Sequence, residues 1–187
     1  DYETADFELI DKPYHPSTYV ADLADLPIED GRFDHVVFNQ TMEHVPDPAA
    51  VLGELSRVLR PGGRIFCSCP LFYEEHEQPY DFYRYTQYAH RYLFERAGFR
   101  IERLEWLEGY LGTIGYQLES AGRSVPTTPH RLGHGARRVL LAPVAIGGKA
   151  CLFFLAGALY RLDLRFKVTG AGYPKNYVIL ARKDDRE

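Results

Sequence analysis

Short apolar runs alternate with polar turns through the first hundred residues. Phe33 to Pro70 reads FDHVVFNQTMEHVPDPAAVLGELSRVLRPGGRIFCSCP. Within it, Val36-Val37-Phe38 is an apolar run with polar flanks, which predicts a strand buried on both faces. Val51, Leu52, Leu55, Val58 and Leu59 recur at spacings that place them on one face of a helix. Asp47 offers a capping side chain, and Pro48 suits the first turn because the amide hydrogen it lacks is not needed there. Pro61-Gly62-Gly63 stops this helix, and Arg64 to Cys69 is a second apolar run closed by Pro70. Strand, helix and strand in this order predict a right-handed crossover unit. In such sheets ligands sit beyond the carboxyl ends of the strands. Asn39 to His44 and the chain after Pro70 are therefore the candidate site segments.

The flanks follow from the same patterns. Asp1 to Pro16 reads as a loop and Thr18 to Ala21 as a short strand. Leu71 to Tyr85 is a loop rich in aromatic and charged residues. Thr86 caps a predicted helix that runs to about Ala97 and ends at Gly98. Phe99 to Leu107 alternates apolar and polar positions, as a strand near a sheet edge does. Glu108 to Ala121 predicts a helix despite its glycines. Val139 to Tyr160 is the longest apolar stretch, and its length reaches the ~20 residues a membrane span needs. Pro143 and Gly147-Gly148 predict two shorter helical pieces there. Arg137 and Arg138 precede the stretch, and Arg161 and Arg165 follow it. A buried or dimer-packing helix is the leading expectation, with a membrane-surface helix and a spanning helix behind it. Asn176 to Ala181 is a last strand.

Composition narrows the function classes. The 187 residues suit one domain, and 45% apolar with 26% charged residues is ordinary for a soluble globular chain. A formal net charge of −4 gives no general attraction to nucleic acid. Three cysteines cannot build a disulfide scaffold. Cys67 and Cys69 share one face of a strand, and with Cys151 they form no closed zinc pattern. They are expected to be buried small hydrophobes in a reducing compartment, and no metal is expected. No signal peptide is visible, so the expected location is cytoplasmic, with peripheral membrane attachment through 139–160 as a further option.

LPIEDGRFDHVVFNQTMEHVPDPAAVLGELSRVLRPGGRIF is similar to the middle of class I S-adenosylmethionine-dependent methyltransferases. It resembles the type 11-like branch, whose members carry LPF-DGSFD, EHV-DP and RVLRPGG in that order. The resemblance covers roughly Val20 to Leu107 and the last strand. It implies an α/β fold with a Rossmann-like sheet. The family opens with a strand, a glycine-rich turn, a helix and a second strand, and no such turn precedes Asp34. The resemblance therefore implies a sheet truncated at its N-terminal side, its first two strands missing. It implies one partial domain over 1–187, with a helical insertion at about 108–170 before the last strand.

The resemblance also assigns residues. Asp22 would accept from the adenine amine, with Leu23 beside the ring, although a turn-forming aspartate is the plainer role for Asp22. Asp1 would bind the ribose hydroxyls. Asn39 and Gln40 would line the methionine part of S-adenosylmethionine. Glu43-His44 would face the cleft, where His44 either takes a proton from the methyl acceptor or braces its loop. HEQPYDFYRYT, His76 to Thr86, fits a subfamily pattern H-x-x-P-x-D-x-x-R-x-T. There His76 is a candidate base, and Tyr80, Asp81, Arg84 and Tyr85 are candidate substrate contacts. An Asp81–Arg84 pair that only pins the loop carries about half the weight.

The expected function is methyl transfer to an oxygen or nitrogen of a small molecule. The alternative is a non-catalytic, methyltransferase-like binding or partner subunit, and a homodimer fits either. A membrane-surface enzyme acting on lipid-linked glycans rests on 139–160 alone. A nicotinamide dehydrogenase fits on fold grounds only, since no proton-relay set is evident.

Overall fold

The computed structural model describes residues 2–7, 17–128, 131 and 135–184. The chain forms two compact units, one of residues 1–105 with 176–187 and the other of residues 106–175.

The first unit holds the crossover. Strand β3 (Phe33–Asn39) leads through a 3-10 turn (Met42–His44) to helix α1 (Pro48–Val58) and strand β4 (Leu59–Pro70). Asp47 caps α1 by accepting from the Ala49 and Ala50 amides. Pro61-Gly62-Gly63 lies inside an irregular start of β4, where the register with β3 slips between Phe33 and His35. Gly63 is held so close to the Arg60 and Asp34 carbonyls that a Cβ would stand 2.9 and 3.1 Å from them. Helix α2 (Gln87–Arg96) starts at Thr86, whose hydroxyl accepts from the Ala89 amide. Strand β5 (Phe99–Trp106) follows, and β6 (Asn176–Lys183) closes the sheet.

The strand order is β3-β4-β6-β5. β3 and β4 are parallel, and β6 runs antiparallel to β4 from Arg64–Arg182 to Pro70–Asn176. This is a Rossmann-like mixed α/β sheet, with β5 at an edge as its alternation predicts. Two further strands, β1 (Ala5–Asp6) and β2 (Tyr19–Val20), form a separate parallel pair. β1 falls where a loop is expected. Two residues are too few to show an alternation, and it is the pairing with β2 that makes them a strand.

The core lies on one face of the sheet. Ile65, Cys67 and Cys69 of β4 and Tyr177, Ile179 and Ala181 of β6 are buried, as are Val51, Leu52, Leu55 and Val58 of α1 and Phe94 of α2. The other face is open. Val37 is 74% exposed and its register partner Phe66 is 40% exposed. This corrects the expectation that β3 is buried on both faces. An apolar run records strand-forming side chains, whereas burial depends on what packs over each face. The LPIEDG turn is tied to α1 by polar bonds. Glu54 accepts from the Leu26 amide, and Arg57 donates to Glu54, to the Leu26 and Ile28 carbonyls and to Asp30. Cys151 is exposed, which corrects its expected burial.

The second unit is a helical hairpin. α3 (Tyr110–Ser124) packs on α4 (Ala136–Phe166). α4 is one continuous 31-residue helix, not the two pieces expected. Pro143 removes one backbone hydrogen bond, and Gly147 and Gly148, with no atoms near their Cβ positions, cost about 1 kcal/mol each, so the bonds on either side carry the helix through. Gly112, Gly115 and Gly122 of α3 meet Asp163, Tyr160 and Phe153 of α4 so closely that a Cβ would stand 2.6, 3.1 and 3.3 Å from them. The buried Asp163 carboxylate accepts from the Gly109 amide at 2.8 Å, and Tyr160 donates to Glu119 at 2.7 Å.

His90 is fully buried between Tyr85 and Tyr177, and neither of its ring nitrogens has a hydrogen-bond partner. Burial pushes its pKa down to about 4. The unfolded chain takes up a proton near pH 6.5 that the folded chain refuses, so stability falls as the pH drops from about 6.5 to about 4. The full gap is worth about 3 kcal/mol. Urea unfolding at pH 7 and pH 5 tests this. His90→Phe is expected to remove the part of the acid destabilisation that the wild type owes to this ring, and an unchanged pH dependence in that variant contradicts the assignment.

Candidate active site

The site forms at the carboxyl ends of β3 and β4, where the 3-10 turn and the loop after Pro70 meet. Gln40 begins it with a left-handed backbone, φ 49°, which is uncommon for a residue with a side chain. Its amide donates to the Ser68 carbonyl and its side-chain amide to the Ser68 hydroxyl, both at 2.9 Å. The Ser68 hydroxyl donates to the Asn39 side-chain oxygen. Asn39 and Gln40 are thus fixed at the end of the parallel pair.

Glu43 follows on the turn and is completely buried. Its backbone carbonyl accepts from the amides of Phe82 and Tyr83 at 2.9 and 3.3 Å, which binds the far loop to the turn. One carboxylate oxygen, Oε2, accepts from the Cys69 thiol at 3.5 Å. The other, Oε1, has no hydrogen-bond partner and lies 3.8 Å from His44 Nε2. Burial raises the Glu43 pKa, and burial likewise pushes the Cys69 thiol up, so Cys69 stays a donor.

His44 and His76 come together beside this carboxylate. Their Nε2 atoms are 3.1 Å apart, and the rings stand at 81° with centroids 4.6 Å apart. Each ring is oriented by its other nitrogen. His44 Nδ1 is 2.7 Å from the Tyr80 carbonyl, and His76 Nδ1 is 3.2 Å from the Glu74 carbonyl. A carbonyl oxygen only accepts, so each Nδ1 carries a hydrogen and both Nε2 atoms are directed at the same place.

The loop that holds His76 is built by Asp81 and Arg84. Asp81 accepts from the His76 amide at 2.8 Å and from Arg84 at 2.6 and 2.8 Å. The Arg84 guanidinium holds the Asp81 carboxyl far below the usual carboxylate range. Arg84 also donates to the carbonyls of Tyr73, Glu74 and Tyr83. Its geometry here is that of a loop clamp. Tyr80 is exposed at the loop surface. Tyr85 is buried, with its hydroxyl donating to the Met42 carbonyl, so it faces the core.

The remaining sequence candidates stand as follows. Asp22 is exposed, and its carboxylate accepts from the Ala24 amide at 2.9 Å, a turn-forming bond. Leu23 is half-buried beside it. Asp1, His130 and His134 lie outside the described residues. Cys69 and Ser68, which position Glu43, Asn39 and Gln40, carry no signal in the sequence beyond membership of an apolar strand.

Residues 3–67 match a family model described as a methyltransferase domain. The matched segment is about a third of the chain. It contains β3, the turn with Glu43 and His44, and α1. A malonyl-[acyl-carrier protein] O-methyltransferase of Hahella chejuensis is 49% identical over 49 residues, 26% of this chain and 18% of that protein. A chloroplastic tocopherol O-methyltransferase of Arabidopsis thaliana is 53% identical over 49 residues, 26% and 14% of the two chains. A demethylmenaquinone methyltransferase of Staphylococcus haemolyticus is 34% identical over 94 residues, 46% and 36% of the two chains. The matches thus span well under half the length of these relatives. Among solved structures, the [4+2]-cyclase SpnF has a TM-score of 0.49 at 17% identity, over 88% of this chain and 54% of that one. Phosphoethanolamine N-methyltransferase 2 of Haemonchus contortus has a TM-score of 0.47 at 15% identity, over 89% and 37%.

Asp81→Asn is expected to leave the Arg84 charge without its partner and to loosen the His76 loop. Removing one member of a half-buried pair costs about 1–3 kcal/mol. Chemical unfolding measures the cost, and proteolysis between Glu74 and Tyr83 reads the loosening. A variant as stable and as resistant as the wild type contradicts the clamp.

Proposed function

We propose that the protein transfers a methyl group from S-adenosylmethionine to an oxygen or nitrogen of a small molecule. The observation that carries this is the match of residues 3–67 to a methyltransferase domain, running through β3 and α1 into β4, with the His44–His76 pair at the carboxyl ends of β3 and β4. Two of the relatives are O-methyltransferases, which favours oxygen. Asn39 and Gln40, fixed by Ser68, line the methionine side of the cofactor, and Asp22 and Leu23 serve its adenine. The acceptor enters beside Tyr80, and its O–H or N–H donates to the Nε2 edge of His44 and His76. Methyl transfer from a sulfonium is a displacement, so alignment of the nucleophile with the methyl group supplies most of the acceleration. Asp1 is the proposed ribose partner. Asp81, Arg84 and Tyr85 support this site by holding the loop.

Calorimetric titration of S-adenosylhomocysteine tests the reading. A single site is expected, weakened about tenfold or more by Asp22→Ala, as loss of one charge-assisted hydrogen bond implies. A folded protein that gives no binding heat leaves the partner-subunit alternative in front.

The helical hairpin supports a second part of the proposal, that the protein works at a membrane. Val139–Phe166 is long and apolar enough to cross a bilayer, and little of it is buried. Val144 is 70% exposed, Phe154 74% and Leu164 89%. Only the side toward α3 is covered. Exposed apolar surface of this extent needs a partner, and the basic residues at both ends of the helix suit lipid headgroups. Sedimentation with phosphatidylglycerol vesicles is expected to carry the protein into the pellet, and the double substitution Val144→Glu with Phe154→Glu to return it to the supernatant. Protein that stays soluble as a dimer in the presence of vesicles contradicts this and assigns the helix to a second copy.

A further inference from the structure

We propose that Glu43, His44 and His76 bind a divalent transition-metal ion of the zinc class, leaving open coordination positions toward the cleft. Their ligand atoms lie within 4.8 Å of one another. Two nitrogens at ~2.05 Å from one zinc ion stand about 3.3 Å apart at the tetrahedral angle, close to the 3.1 Å found between the Nε2 atoms.

The ring geometry argues against a proton shared head-on between the two histidines. An imidazole centroid lies about 1.2 Å behind its nitrogen, so rings sharing a proton head-on across 3.1 Å would have centroids about 5.4 Å apart. The observed separation is 4.6 Å. The two rings are therefore tilted away from a head-on approach. A proton between them would also leave Glu43 Oε1 buried and unpartnered at 3.8 Å. A metal ion uses all three atoms at once.

The surroundings are those a metal site requires. Metal-binding histidines donate their other ring N–H to a carbonyl or carboxylate, which fixes the tautomer and the ring direction. His44 does so to Tyr80 and His76 to Glu74. The Cys69 thiol engages Glu43 Oε2 and leaves Oε1 for the ion. Three protein ligands with an open position make a reactive site, not a purely structural one. With the ion bound, the acceptor's oxygen coordinates it instead of donating to the ring nitrogens. Its proton is then more easily lost to water. His44 and His76 are 32 positions apart, so no short spacing in the sequence marks the set.

The test is a titration of the metal-free chain with Co2+, read by its visible absorption without any cofactor, and then displacement by Zn2+. One equivalent is expected to bind with nitrogen and oxygen ligation. His76→Ala, on the exposed side of the site, is expected to weaken binding about 100-fold, and Glu43→Gln, which keeps the shape, at least tenfold. Circular dichroism confirms that each variant is folded. Wild-type binding no tighter than that of a folded His76→Ala overturns the site. Because the readout needs no methyl transfer, a coloured cobalt complex in a protein that ignores S-adenosylhomocysteine supports the site while removing the methyltransferase reading. The opposite pair of results removes the site alone.

Discussion

The antiparallel ladder between β4 and β6 is the constraint on which the first unit depends. It joins residues more than a hundred positions apart and places the last strand between β4 and β5. Tyr177, Ile179 and Ala181 thereby enter the core beside Ile65, Cys67 and Cys69. The ladder also brings Arg64 opposite Arg182, a like-charge pair that would weaken a sheet. Glu102 on β5 relieves this by holding Arg64 through two hydrogen bonds. The sheet is therefore tied together across three strands by packing on one face and by this bridge at one end.

The site inherits its order from that frame. β4 ends at Pro70 with Ser68 and Cys69 already fixed by pairing, and these two residues reach back to the end of β3 and the following turn. Glu43 then organises the other side. Its carbonyl anchors the loop at Phe82 and Tyr83, while its carboxylate faces the two histidines. Asp81 and Arg84 finish the loop so that His76 meets His44. A carboxyl group buried as deeply as Glu43, with one oxygen unpartnered, is costly to the fold.

Much of this was legible in the chain. Asp47-Pro48, the apolar face of α1, Thr86 and the alternation of β5 are local signals, and each element lies where its signal placed it. His44 and His76 were recognisable as candidates by type and by their place after strands. Their approach to each other was not, because it depends on the fold of the loop between Pro70 and Thr86. The exposure of Val37 and the antiparallel course of β6 were illegible for a related reason. Both are properties of what lies beside a strand, and a run of side chains records only the strand itself. α4 shows the reverse error. Pro143 and the glycine pair are true local breakers, yet the bonds on either side of them outweigh them.

The glycine face of α3 has a consequence for the medium in which the hairpin can exist. Association driven by expelling water fails once the surroundings are as apolar as the contact itself. α3 and α4 instead meet through close backbone approach at Gly112, Gly115 and Gly122 and through the Asp163 and Tyr160 hydrogen bonds. Dispersion and buried polar bonds of this kind are the forces that join helices within lipid. The hairpin is thus held by contacts that do not depend on water, and moving α4 from solvent into hydrocarbon would leave its grip on α3 intact.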